Sequence, residues 1–337
     1  MTEQPSATVR TLRQGSTELT LTAQEFEIAA LVGAKGAASA GVATLELRRV
    51  DGGPFPRWEP GAHIDLILDA APTRQYSLCG DPADRSSYRI GVLLDPAGQG
   101  SSRYVHERMQ VGDAARIRGP RNNFPLAKSP RYIFIAGGIG ITPLLPMIAE
   151  AEAAGAEWRL VYGGRERASM AFLPELEPYS DRVSVRPQDE TGLLDLEEVL
   201  GSPAGDTLVY CCGPEPLLVA VEARCAAWPP GALHVERFSP RPIEEAAGSE
   251  PFEIVLEQSG VTLAVPADRS ILDVVDEAGV FVLSSCREGT CGTCETGVLS
   301  GEPDHRDSVL GPVERESNQS MMICVSRAKS PQLSLDL

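Results

Sequence analysis

Cys286-Arg287-Glu288-Gly289-Thr290-Cys291-Gly292-Thr293-Cys294 sets three cysteines within nine residues, and Cys324 follows after 29 intervening residues. The spacing C-x4-C-x2-C with one distant fourth cysteine is the plant-type pattern for holding a [2Fe-2S] cluster, at potentials of roughly −400 mV. A loop that folds around a buried inorganic core needs small, permissive residues between its sulfurs. Gly289, Thr290, Gly292 and Thr293 meet that demand, because glycine allows positive φ and lets amide N–H groups point at the sulfides. A structural zinc site usually pairs two CxxC-like knuckles, and a disulfide staple suits a small secreted domain; both fit this spacing less well. Cys286, Cys291, Cys294 and Cys324 are the expected metal ligands.

One ferredoxin-sized module cannot fill 337 residues, a length that holds two or three domains. With 42% hydrophobic and 23% charged residues, the composition is that of a soluble globular protein rather than a disordered one. Thirty Lys and Arg against 47 Asp and Glu leave a net charge of −17, which disfavours nucleic acid and anionic membrane and favours a partner with a basic docking face. The eight cysteines are preceded by a polar N-terminal stretch with no apolar signal region, so a reducing cytoplasm is expected. The uncharged run Tyr132 to Ala149 nearly matches a membrane span in length, but its three glycines and two prolines fit a strand, a glycine turn and a helix better.

Residues 1–18 read as a flexible leader. From 19 to 126, short alternating runs (Leu19 to Ile28, Val42 to Val50, His63 to Leu68, Arg74 to Leu78, Tyr88 to Leu94) separated by Gly, Pro and Asp turns predict an antiparallel β-barrel. Over 127–238 strands and helices alternate, which predicts a parallel-sheet α/β domain. The stretch 239–250, SPRPIEEAAGSE, has no apolar period and reads as a linker. Over 251–337 a hairpin, a helix capped by Ser270, the cysteine loop and a strand Met321 to Val325 carrying Cys324 are expected.

Three further motifs carry chemistry. In Arg74-Gln-Tyr-Ser77, Arg74 and Tyr76 project to one face of a strand and Ser77 to the other. A guanidinium beside an aromatic ring suits a flat phosphorylated cofactor, although the tetrapeptide alone also fits an exposed arginine next to a core tyrosine. Gly98-Gln-Gly100-Ser101-Ser102 precedes an expected helix from Arg103 to Met109, where glycines and hydroxyls make an anion site or simply a capped turn. Ala136-Gly137-Gly138-Ile-Gly140-Ile-Thr142-Pro143 lies between a strand and a helix that Thr142 can cap; its glycines let the backbone approach a pyrophosphate without matching the GxGxxG fingerprint. Arg165 ends the next strand, with no acidic ribose ligand beside it. Cys212-Gly213 ends a later strand, where a soft thiol can touch a nicotinamide ring, while Cys211 points into the core. His63, His106, His234 and His305 form no ligand or triad spacing and read as structural.

Taken in order, RQYSLCG (74–80), GQGSS (98–102), IAGGIGITPLL (135–145), YCCGP (210–214), HVERF (234–238) and the cysteine segment 284–310 resemble the phthalate dioxygenase reductase family, which includes the vanillate demethylase reductases. The resemblance implies an FMN-binding Greek-key barrel, a pyridine-nucleotide α/β domain and a C-terminal β-grasp ferredoxin. It implies Arg74 on the FMN phosphate, Tyr76 against the ring, Ser77 near the flavin N5, and Gly100, Ser101 and Ser102 as a second phosphate contact. Gly137, Gly138, Gly140 and Thr142 then form the nucleotide loop, Cys212 and Gly213 the nicotinamide side, with Ser77 and Cys212 the catalytic pair and Phe238 the aromatic near the flavin. Gly164 before Arg165, where relatives carry Thr, leaves NADH, to which the family leans, against NADPH. The activity implied is electron passage from NADH through FMN to the cluster, then singly to a Rieske-type oxygenase, in a monomer. A self-sufficient flavoreductase and a non-catalytic redox sensor are the alternatives.

Overall fold

The computed structural model describes residues 8–13, 18–23, 27–241 and 250–337. Thr8–Arg13, inside the expected leader, pairs antiparallel with Glu18–Ala23. The run expected as one strand from Leu19 to Ile28 is thereby divided, and the barrel opens at Glu27. Most of the expected linker, 242–249, lies outside the described residues.

Six antiparallel strands form the first domain: β1 (Glu27–Ser39), β2 (Val42–Arg49), β3 (Ala62–Leu68), β4 (Ala71–Ser77), β5 (Tyr88–Leu93) and β6 (Ala114–Asn122). Their order is β4-β3-β6-β1-β2-β5, and the bridge Leu78 to Ile90 joins the two edges, curling the sheet on itself. Period-two alternation sends Ala62, Ile64, Leu66 and Leu68 inward with Leu45, Leu47 and Ile90. Each fully buried Ile or Leu of this kind contributes about 1.5–3 kcal/mol. The other face of β3 is buried too: His63 and Asp65 are 5% and 0% exposed. A strand buried on both faces needs a second layer, and the C-terminal domain supplies it.

The second domain is an all-parallel sheet of β7 (Arg131–Gly137), β8 (Glu157–Gly164), β9 (Val183–Pro187), β10 (Thr207–Cys212) and β11 (Leu233–Glu236), ordered β9-β8-β7-β10-β11. Alternate residues serve opposite faces. Tyr132, Phe134, Tyr210 and Cys212 pack with α2 (Leu144–Ala153) and with Val42, Cys79 and Phe124 of the barrel. Ile133, Ile135, Val209 and Cys211 pack on the other face with Leu218 and Val221 of α4 (Glu215–Arg224) and Val199 and Leu200 of α3 (Leu196–Leu200). Cys211 faces this core, as its position in the strand implies.

The third domain has its own core around Ile254, Val275, Met322 and Leu333. Its hairpin β12 (Phe252–Leu256) and β13 (Val261–Val265) joins β14 (Glu295–Ser300), β15 (Ser320–Met322) and β16 (Gln332–Leu335) in the order β13-β12-β16-β14-β15. Helix α5 (Ile271–Glu277) is capped as expected, Asp273 N donating to Ser270 Oγ at 3.1 Å. Cys324 does not sit in a strand: β15 stops at Met322, and a turn follows that aims the thiol back at the cysteine loop. Among the described residues no helix is long and apolar enough to cross a membrane.

Candidate functional site

A cavity of about 330 Å³ opens where the three domains meet. The first wall is β4. Arg74 and Tyr76 pair across the ladder with Leu66 and Ile64, while Ser77 pairs with His63, so Ser77 lies on the opposite face of the strand, as alternation requires. The Arg74 guanidinium donates to Thr73 O at 2.9 Å and, among the described residues, has no carboxylate partner, which leaves a cation open to an anionic ligand. Burial pushes the Tyr76 phenol up to about 12, so the ring stays neutral.

The turn Gly98–Gly100 leads into α1, which spans Ser101–Glu107 and starts two residues earlier than the sequence suggests. Gly100 caps it at φ 101°, a left-handed conformation that glycine adopts without strain. Ser101 Oγ donates to Pro72 O at 2.6 Å, tying the helix start to the edge of β4. Ser102 Oγ accepts from Asp95 N at 3.1 Å. Both hydroxyls line the cavity.

The glycine loop after β7 makes a second wall. Its first turn is a short 3-10 segment, Gly138–Ile141, and Thr142 Oγ1 donates back to Ile139 O at 2.9 Å. Thr142 therefore closes that turn instead of capping α2, which begins at Leu144 with Pro143 before it. Packing accounts for two of the glycines: a Cβ at Gly140 would lie 2.2 Å from Cys212 O, and one at Gly137 would lie 3.2 Å from Gly213 Cα. Gly138 is different, with φ 55° and open space around it. Arg165 sits exposed beyond β8, outside the cavity, its carbonyl accepting from Asp189 N at 3.2 Å.

Cys212 is fully buried and does not reach the cavity surface. Burial drives its thiol well above the ordinary range. Its Sγ meets Glu236, which does line the cavity and whose carboxyl burial pushes up to about 8, against the smaller opposing effect of hydrogen bonds from Cys212 and Ser77. Glu236 thus brings the two expected catalytic residues together, and no spacing in the sequence marked it. Phe238, 43% exposed, stands at the cavity edge. His63, whose spacing marks it as structural, lines the cavity; burial lowers it to about 4, and its Nε2 has no hydrogen-bond partner among the described residues.

The last wall is the cysteine loop, through Glu288 and Thr290. All eight cysteines are free and buried. The Cys286 thiol contacts those of Cys291 and Cys324, and Cys294 contacts Cys324. The Cys291 and Cys324 thiols hold the Cys286 thiol well below the usual range, and Glu288 N and Thr290 N, donating to its Sγ at 3.3 and 3.4 Å, add to this. No three His, Cys, Asp or Glu side chains among the described residues gather around a single-ion point. Pairs of sulfurs, with amides aimed at them, fit a two-iron cluster, which takes two thiolates per iron.

The comparisons with known proteins agree with this division of labour. Residues 134–223 match the oxidoreductase NAD-binding domain, and 254–329 the 2Fe-2S iron-sulfur cluster binding domain. The chain is 44% identical to phenoxybenzoate dioxygenase subunit beta of Ectopseudomonas oleovorans, over 83% of this chain and 88% of that one. The solved phthalate dioxygenase reductase, described as a modular structure for electron transfer from pyridine nucleotides to [2Fe-2S], aligns with a TM-score of 0.68 at 38% identity, covering 92% and 98% of the two chains. An intact type IV self-sufficient cytochrome P450 monooxygenase aligns with a TM-score of 0.87 at 42% identity; this chain spans 41% of its length.

Proposed function

The chain belongs to the phthalate dioxygenase reductase family, and on that premise we propose that it is the reductase subunit of a two-component oxygenase, taking electrons from NADH and delivering them singly to a Rieske-type partner. It is an electron-transfer oxidoreductase with an NAD-binding and a [2Fe-2S] domain. One observation carries the reading: the Arg74-to-Ser77 strand, the Glu236 and Phe238 segment and the cysteine loop all wall a single cavity.

The family's FMN fits what the cavity offers. Arg74, Ser101 and Ser102 would hold its phosphate, Tyr76 and Phe238 its ring, and Cys286, Cys291, Cys294 and Cys324 the cluster. When bound, the flavin exchanges electrons in pairs with a nicotinamide and the cluster passes them one at a time.

The remaining work falls to the chain's own residues. Glu236 keeps a proton at neutral pH and spans from Cys212 to Ser77, which holds β11 against β4 and keeps net negative charge off the cavity floor. Gly137 and Gly140 let two backbone turns nest so that Ile139 and Thr142 reach the cavity. The Gly138 turn leaves open space beside its backbone for a nucleotide. A single polypeptide contains all three walls, in keeping with a monomer.

Anaerobic mixing with NADH tests the proposal: flavin bleaching followed by cluster bleaching is the expected sequence. A Rieske oxygenase should then raise turnover well above that with oxygen alone. Equal rates with and without an oxygenase would overturn the partner assignment.

A further inference from the structure

The barrel and the cysteine loop are joined at two points. Gln75 Nε2 donates to Asp65 Oδ1 at 2.8 Å and to Ser285 Oγ at 2.9 Å, reaching the residue before Cys286. Asn123 Nδ2 donates to Cys291 O at 3.0 Å. A carboxylate and a peptide carbonyl only accept, so each amide can have only its NH₂ group turned toward the loop. Asp65, 0% exposed, is in turn held by Arg121 at 2.5 Å. The loop is shaped to receive this grip: Gly292 has φ 75°, and a Cβ there would lie 2.9 Å from Asn123 Nδ2.

We infer that Gln75 and Asn123 are positioning residues for electron exit, a two-point clamp that sets the separation between the cavity and the cluster ligands. The inference rests on the function proposed above. The clamp grips both ends of the span 285–291, whose middle residues Glu288 and Thr290 wall the cavity, so it controls the segment across which an electron must pass. One electron crosses per event, and no bond forms or breaks. NADH supplies the pair, and the oxygenase partner takes it one electron at a time. With no bond chemistry in the step, its rate depends on how closely the donor and acceptor sites are held, and small displacements carry large rate penalties. The buried Asp65–Arg121 pair gives the clamp a rigid footing on the barrel, since a buried charge with two donors has little freedom to move.

Ser285→Ala removes the loop's half of one contact without touching the cavity, and Ser285→Thr keeps the hydroxyl. In anaerobic rapid mixing of holoprotein with NADH, Ser285→Ala should leave flavin bleaching within about twofold of the parent and slow cluster bleaching about tenfold, with Ser285→Thr restoring it. The EPR spectrum of the dithionite-reduced cluster should not change. Hydrogen exchange at amides 285–292 should speed up in both Ser285→Ala and Gln75→Ala, a readout independent of turnover. Unchanged cluster bleaching and unchanged exchange in both variants would overturn the clamp while leaving the proposed function standing. A parent protein whose cluster stays oxidised after its flavin is reduced would overturn both.

Discussion

Cys212 Sγ lies 3.9 Å from Glu236 Oε2, and the two residues are register partners on adjacent parallel strands. The same carboxyl bonds Ser77 of the barrel, so one protonated group ties the nucleotide sheet to the flavin strand. Burial raises Glu236 from the ordinary carboxylate value to about 8. A carboxyl raised on folding contributes stability that is fully present below its unfolded value and is lost as pH rises through about 8. Thermal unfolding should therefore show Tm falling across this window, and Glu236→Gln should flatten that slope. NADH-to-flavin transfer should decline above pH of about 8 in the parent and lose that limb in Glu236→Gln.

Cys291→Ser should abolish electron delivery to a one-electron protein acceptor such as cytochrome c. Flavin reduction by NADH should survive nearly intact, because the Cys291 side chain meets the Cys286 thiol and Thr293, while its carbonyl, which accepts from Asn123 Nδ2, is unchanged by the substitution. Rapid-mixing absorbance at flavin and cluster wavelengths separates the two steps, and lost flavin reduction would refute the division of roles.

Arg74→Ala should weaken FMN retention by about 10- to 100-fold, the worth of one charge-assisted phosphate contact of roughly 1.5–3 kcal/mol. Arg74 has no carboxylate partner among the described residues, so its removal strands no buried charge and the barrel should keep its Tm within a few degrees. Equilibrium dialysis of FMN checks the first half and calorimetry of the apoprotein the second.

Gly140→Ala should destabilise the fold more than Gly138→Ala. The first drives a methyl into the Cys212 carbonyl at 2.2 Å and should cost about 1–3 kcal/mol or more. The second meets nothing and bears only the left-handed backbone penalty of about 1–2 kcal/mol. Urea unfolding of the two variants gives the comparison. NADH affinity should change more for Gly138→Ala relative to its stability loss, since its turn is the open one.

Much of this arrangement was legible in the chain because its determinants are local. The cysteine spacing, the Arg74-to-Ser77 alternation and the glycine turns each impose their geometry within about ten residues. What was hidden depends on partners far away in sequence. Burial raises Glu236 where it meets Ser77 of the barrel, and His63 is buried beside Arg121 of the barrel and Cys286 of the third domain. β1, with its run of Ala and Gly between Ala29 and Ser39, has weak intrinsic strand preference and is held by pairing with both β2 and β6. Thr142 carries a cap signature, yet the 3-10 segment before it supplies a nearer acceptor in Ile139 O. Gln75 and Ser285 are 210 residues apart, a distance no motif spans.

Among the described residues the ferredoxin core shares no side chain with the other two domains, whereas Val42, Cys79 and Phe124 of the barrel belong to the same packed cluster as the nucleotide sheet. The molecule is therefore two inheritable pieces rather than three. The electron source, barrel and nucleotide sheet together, cannot be cut without opening a core, whereas separating the outlet breaks the Gln75–Ser285 and Asn123–Cys291 hydrogen bonds and removes one wall of the cavity.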